Sequence, residues 1–335
     1  MSATGSQGDP GEEETMIQFA NGRLRPGTAV ACALLLAGCQ AEPDLSSVRA
    51  NAERPIQRFH VVQTLSANPQ VVVAGTQAGD LLVSRNAGQT WQRTAVSGAS
   101  LIDSAQCPDG SFIALDFYRR VWSISADGSQ VAAASFEKPR VALTVACDRK
   151  GGWWVAGTHA RIAHSADRGQ SWTLTDLEED AQITALQFVD EDYAIAVGEF
   201  GLVAVSIDGG ATWTRREPIP NDFYPYTALF ASRDEGWVSG IAGQILHTAD
   251  GGQTWARQPN NAQAAFHRLF LHEGVPHGVG TGGVVARLER DAWQPVPYPD
   301  PLPVFFGAGT SLPGQSALIA GSPGGLVRVI GTQAN

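Results

Sequence analysis

The 335-residue sequence is short of positive charge, of helical periodicity and of long apolar runs. Lys and Arg total 23 against 33 Asp and Glu, a formal net charge of −10. A nucleic-acid binder needs a basic face, so this balance excludes that class. No stretch after residue 50 sustains an apolar period of 3.6, which leaves almost no room for helix. The apolar run at 28–36 is too short to span a bilayer. Of the four cysteines, Cys107 and Cys147 lie in the body of the chain, and no His stands where it could activate either as a nucleophile.

What the sequence does hold is repetition. Ser165 to Trp172 reads S-x-D-x-G-x-S-W, and the frame returns at Ser206 to Trp213, at Thr248 to Trp255, and at Ser84 to Trp91 with Asn86 in the Asp position. A second marker, a short apolar run ending in Gly, falls at Gly75, Gly157, Gly198, Gly240, Gly280 and Gly321, with Asp116 in place of Gly in the second copy. Successive copies are about 41 residues apart, and each repeat reads as four short strands punctuated by Gly, Asp and Asn. That period implies one small sheet per repeat in a radial array. The expected fold is therefore all-β, a seven-bladed β-propeller of four-stranded antiparallel blades over residues 58–331, with a short tail at 332–335. The seventh repeat stops at Ile330, and an open ring would leave unpaired sheet edges. The strand-like segment Arg58 to Leu65 is expected to close the ring as the outer strand of the last blade.

The box residues Asn86, Trp91, Asp167, Trp172, Asp208, Trp213, Asp250 and Trp255 read as structural. The carboxylate can accept backbone N–H groups of its own hairpin, and the Trp can lie between blades. A catalytic residue is needed once, whereas these recur. One carboxylate per hairpin is too few for a metal, so neither a metal site nor a cofactor is expected.

Residues 1–39 read as an extension followed by a lipoprotein signal. Arg23 and Arg25 precede the apolar run, and Leu36-Ala37-Gly38-Cys39 has the form of a bacterial lipobox with lipidation at Cys39. The acidic stretch 1–15 is wrong for a signal start, so translation is expected to begin at Met16. Gln40 after the Cys favours the periplasmic side of the outer membrane. Residues 40–57 read as a flexible tether. Cys107 and Cys147 end the first strands of adjacent repeats, at a position held by Phe188, Phe230 and Phe270 elsewhere. An exported compartment permits a disulfide between them, but the bond requires Cα atoms within about 7 Å, and the sequence leaves the pairing open.

In a four-stranded blade, the second-to-third turn and the link to the next blade share one face, away from the box hairpins. That face carries what differs between repeats. Arg119, Arg120, Arg140, His159 and Arg161 give it a basic cluster, and Phe223, Tyr224 and Tyr226 give it an aromatic loop. Exposed aromatics beside charges suggest a protein-binding site.

The V-x-G…G-x-[LIV]-x-x-S-x-D-G-G-x-T-W frames from Phe59 to Ile330 resemble the BNR (Asp-box) propellers, and among them the photosystem II stability/assembly factor family. The resemblance implies a non-enzymatic, membrane-attached, exported propeller. Such a protein holds a newly inserted membrane-protein subunit through a basic patch, for which Arg119, Arg120, Arg140 and Arg161 are the nearest candidates. The expected partner is thus a membrane protein or a subunit of a membrane complex, bound by a monomer. An accessory lipoprotein of an envelope transporter complex is the alternative partner reading. An Asp-box glycosidase is the alternative chemistry, but the R-I-P segment of sialidases is absent and Arg54-Pro55-Ile56 has the wrong order.

Overall fold

The computed structural model describes residues 43–331. The chain divides into two units, Met1–Asn51 and Ala52–Asn335. One α-helix, α1 (Ser46–Glu53), has no buried residue. No helix among the described residues is long and apolar enough to cross a membrane. Cys39 and the rest of the signal segment lie outside the described residues, as does the tail.

From Val62 onward the chain forms seven sheets in sequence order. Blade one holds β1 (Val62–Ala67), β2 (Val72–Thr76), β3 (Asp80–Ser84) and β4 (Gln92–Ala95). Blade two holds β5 (Leu101–Gln106), β6 (Phe112–Asp116), β7 (Arg120–Ile124) and β8 (Val131–Ser135). Blade three holds β9 (Ala142–Cys147), β10 (Trp153–Gly157), β11 (Arg161–Ser165) and β12 (Thr173–Asp176). Blade four holds β13 (Ile183–Phe188), β14 (Ala194–Gly198), β15 (Val203–Ser206) and β16 (Thr214–Arg215). Blade five holds β17 (Pro225–Phe230), β18 (Gly236–Gly240), β19 (Ile245–Thr248) and β20 (Ala256–Arg257). Blade six holds β21 (Phe266–His272), β22 (Val275–Gly280), β23 (Val285–Glu289) and β24 (Ala292–Pro295). Blade seven holds β25 (Ala308–Ser311), β26 (Ala317–Gly321) and β27 (Val327–Gly331). All pairings within these sheets are antiparallel, and the molecule is a seven-bladed β-propeller.

The first strands line a central channel, each against the next, with β25 returning to β1. The second strands are covered on both faces by neighbouring blades. The whole of β6, β10, β14 and β18 is therefore buried, whereas the outer strand β4 is exposed throughout. Hydrophobic clusters fill each seam between adjacent blades, and every box Trp sits in one. Trp172 packs with Phe136 of blade two, and Trp213 packs with Trp154 of blade three. Trp255 joins Tyr193 and Ile195 of blade four, and Trp91 joins Ile319 and Val327 of blade seven. In blades three to six the marker Gly ends the second strand because the backbone entering the first strand crosses it closely. A Cβ on Gly157 would lie 2.1 Å from the Val141 carbonyl oxygen, and one on Gly280 would lie 1.9 Å from that of Ala265.

Ring closure differs from the expectation. Arg58 to Leu65 does not form an outer strand of blade seven. Val62–Ala67 is instead the inner strand of blade one, paired with β2 across a four-residue turn. A short hairpin costs less closure entropy than a pairing across the ring, so sequence neighbours pair first. Blade seven shows three strands among the described residues. The seam is held by packing and by a few polar contacts. Val61 bridges Pro323, the Gly325 N–H donates to the His60 carbonyl at 2.8 Å, and the buried His60 ring meets Asp80 at 2.9 Å.

Candidate functional site

The hairpin carboxylates are occupied by their own loops. Asp167 accepts from Ser165 Oγ at 2.8 Å, the Ser171 N–H at 2.9 Å and Ser171 Oγ at 2.5 Å. Asp208 and Asp250 repeat the arrangement with Thr212 and Thr254, while Asn86 accepts the Thr90 N–H and donates its Nδ2 to Thr90 Oγ1. Asp127, in the hairpin of blade two where the box frame is degenerate, still accepts from Ser125 and Ser129. These bonds hold the carboxyls of Asp127, Asp167, Asp208 and Asp250 at about 2. Among the described residues no group of His, Cys, Asp and Glu is placed to hold a metal ion.

The opposite face carries the strand-two to strand-three turns and the links between blades. Its most developed feature is the turn between β6 and β7, pinned from below by Asp116, the residue that replaces the marker Gly. Asp116 is 1% exposed. It accepts the N–H groups of Tyr118 and Arg120, Arg120 Nε, Ser97 Oγ and Trp122 Nε1, all within 3.0 Å. This web holds Phe117 and Tyr118 outward, 57% and 60% exposed. Arg119 follows at φ 63, with Nη1 on the Glu137 carbonyl oxygen at 3.2 Å. Asp116 was legible only as a break in the repeat; its role depends on five donors that no local pattern reveals.

The five basic candidates separate into two groups. Arg120 is bound to Asp116 and lies 5.2 Å over the Trp122 ring. Arg161 pairs with Asp176 at 2.7 Å and His159 with Asp180 at 3.1 Å. Arg119 and Arg140 are exposed and form no ion pair among the described residues, and exposed Lys138 lies in the same link as Arg140. In blades three to six the second turn residue is left-handed. His159, Phe200 and Ala242 all have φ 57, and Gly282 has φ 71. Gly282 shows that the turn needs no side chain, yet Phe200 keeps one, 62% exposed.

The aromatic loop is also divided. Phe223 is 4% exposed and packs in the seam between blades four and five, against Gly240, so it has no surface to offer a partner. Tyr224 and Tyr226 are half-buried with ring centroids 6.0 Å apart, and Tyr226 stacks on His267 at 4.9 Å. Burial, followed by the neighbouring Glu199 charge, raises the Tyr224 hydroxyl above its usual value.

The channel encloses a cavity of about 620 Å³. Arg268 crosses it from blade six to Asp103 of blade two, with Nη1 3.1 Å from Oδ1. Cys107 and Cys147 lie on the cavity wall and are joined by a disulfide with Cα atoms 5.2 Å apart. The two inner strands approach closely enough at that level, which settles what the sequence leaves open.

Residues 165–265 match the family model described as Photosynthesis system II assembly factor YCF48. No curated protein matches the sequence. Among solved structures, YCF48 from Cyanidioschyzon merolae has a TM-score of 0.66 at 12% identity, over 83% of this chain and 97% of that one. A structure of YCF48 bound to D1 peptide has a TM-score of 0.65 at 15% identity, over 83% and 96%. A catalytically inactive virginiamycin B lyase from Staphylococcus aureus with quinupristin has a TM-score of 0.70 at 12% identity, over 83% and 96%. At these identities the structures share the propeller fold, which hosts both a binding protein and an enzyme. Over residues 165–265 the chain is thus similar to the family described as photosystem II assembly factor YCF48, and it shares the fold of the YCF48 structures.

Proposed function

We propose that this propeller is a non-enzymatic protein-binding module of the assembly-factor type, which holds a polypeptide segment of a membrane-complex subunit on its turn-bearing face. The observation that carries this reading is the turn pinned by buried Asp116. Phe117, Tyr118 and Arg119 are exposed together there, beside the link that bears Lys138 and Arg140. Exposed aromatics cost free energy in water unless a partner covers them, and aromatic and Arg side chains dominate interface energetics. Backbone held in the left-handed region at Phe200 adds a second sign of selection for exposure over ease of folding. YCF48, which a structure shows with a D1 peptide, supports the same class of partner.

The protein is exported and anchored by a lipid at Cys39, facing the periplasm from the outer membrane. The Cys107–Cys147 disulfide supports an oxidising compartment. Crosslinking and pull-down of the lipidated full chain from native membranes tests the reading. The Arg119→Glu, Arg140→Glu double variant should lose capture at unchanged Tm. Arg120 is left intact because its partner Asp116 is buried. Undiminished capture by the variant would exclude this face.

A further inference from the structure

The inner strands share an irregularity that the repeat does not require to carry any particular side chain. In blades one to six the pairing of the first strand with the second skips one residue, at Gln63, Ile102, Leu143, Thr184, Tyr226 and His267. A β-bulge leaves its extra residue unpaired and re-aims the side chain. Here all six re-aimed residues line one cavity of about 370 Å³ at the channel mouth, on the turn-bearing face. The scaffold thus repeats the backbone device while varying the chemistry it presents.

The chemistry is asymmetric. Ile102 and Leu143 give an aliphatic wall. From other blades come Tyr226, stacked on His267 at 4.9 Å and 13°, and Phe305, whose ring is 4.4 Å from that of His267. His267 Nε2 is buried with no hydrogen-bond partner among the described residues. A buried ring nitrogen left in this state is an uncompensated cost that a ligand hydroxyl would remove. Burial lowers the imidazole below its usual value, which favours the neutral ring at pH 7. None of the six residues carries a full charge at that pH. The next residue along β21, Arg268, is neutralised by Asp103. The cations on the same face, Arg119, Lys138 and Arg140, belong to the β6–β7 turn of blade two and to its link with blade three.

We propose that the channel mouth is a pocket for a tyrosine side chain from an acidic segment of the bound polypeptide. The proposal rests on the protein-binding reading above and names what the face recognises. The ring lies between the aliphatic wall and the Tyr226–His267 stack, its hydroxyl meets His267 Nε2, and neighbouring carboxylates face the unpaired cations. Charge complementarity selects an acidic rather than a basic flank.

The test uses the full chain and blocked pentapeptides, Ac-Glu-Gly-Tyr-Gly-Gly-NH2 and versions with Phe or Ala for Tyr and Lys for Glu, titrated by NMR. The tyrosine peptide should bind about tenfold more tightly than the alanine peptide, and more tightly than the phenylalanine and lysine versions. Tyr226→Ala, and Leu143→Arg as an independent block, should each remove that advantage. His267→Phe should abolish the preference for Tyr over Phe. Ile207→Asp, on the box-hairpin face, should leave binding unchanged. Equal binding of the tyrosine and alanine peptides would overturn the proposal, even if capture from membranes persists. So would free p-cresol binding as tightly as the peptide, because the site would then serve a small phenol.

Discussion

Arg268 reaches across the channel to Asp103, 165 residues away in sequence, with Nη1 3.1 Å from Oδ1. The two residues do not depend on each other equally. Asp103 also accepts the Ser104 N–H, Thr144 Oγ1 and the Val145 N–H, each at 2.9 Å. Its side chain is 9% exposed and that of Arg268 is 37% exposed. Asp103→Ala should therefore cost about 3 kcal/mol, because it strands a cation and neutral donors near the core. Arg268→Ala should cost about 1 kcal/mol, because the carboxylate keeps three donors. Urea midpoints of the two variants measure the difference, and equal losses would show that the pair itself dominates.

The disulfide joins blades two and three across 40 residues of chain. Closing a loop of that length in the unfolded state corresponds to about 4 kcal/mol of stabilisation. Cys107→Ser with Cys147→Ser should lower the urea midpoint accordingly, and reductant should do the same to the parent protein. A parent unaffected by reductant would show that the two thiols are not bonded in solution.

Acid should loosen the box hairpins. The carboxyls of Asp127, Asp167, Asp208 and Asp250 sit at about 2 in the folded protein, depressed from 3.8 by side-chain and backbone donors. A depressed carboxyl contributes stability that is present above the unfolded value and lost as pH falls through the folded one. The urea midpoint should thus fall between about pH 4 and pH 2. Asp208→Asn, which places in blade four the amide that blade one has at Asn86, should flatten the slope in that window. An unchanged slope would mean that the hairpin carboxylates do not govern it.

Asp116 offers a sharper test than any arginine. Asp116→Gly restores the marker residue of the other blades but strips acceptors from Arg120, Trp122 and Ser97. Breaking this buried ion pair should cost about 3 kcal/mol. It should also lower partner capture more than Tyr118→Ala does, because the whole turn is released. Retained capture at reduced Tm would separate the scaffold role of Asp116 from presentation of the turn.

Blade count, strand order and hairpin chemistry were legible because each depends on neighbours in sequence. VVVAG and its equivalents announce strands covered on both faces, and a hairpin carboxylate finds its donors within four residues. Closure was misread because the seventh repeat shows three strands among the described residues and Arg58 to Leu65 has strand character. Pairing to the adjacent β2 leaves His60, Val61 and Val62 to make the backbone contacts across the seam. At the site, Arg119 and Arg140 could not be told from Arg120 and Arg161 by residue type. The distinction is the presence of Asp116 and Asp176 at bonding distance. Phe223 has the composition of a contact residue and the position of a core residue.

The sequence by itself determined the ring: a period of about 41 residues, a buried second strand and a self-satisfied hairpin permit little else. The tertiary structure decided which side chains meet. Ring closure brings together residues as far apart as Asp103 and Arg268, and it sets Cys107 against Cys147. A one-residue bulge turns Tyr226 and His267 into the channel mouth. A repeat encodes the interactions within and between neighbouring blades, which recur. The channel is formed by all seven blades at once, so its chemistry belongs to no single repeat.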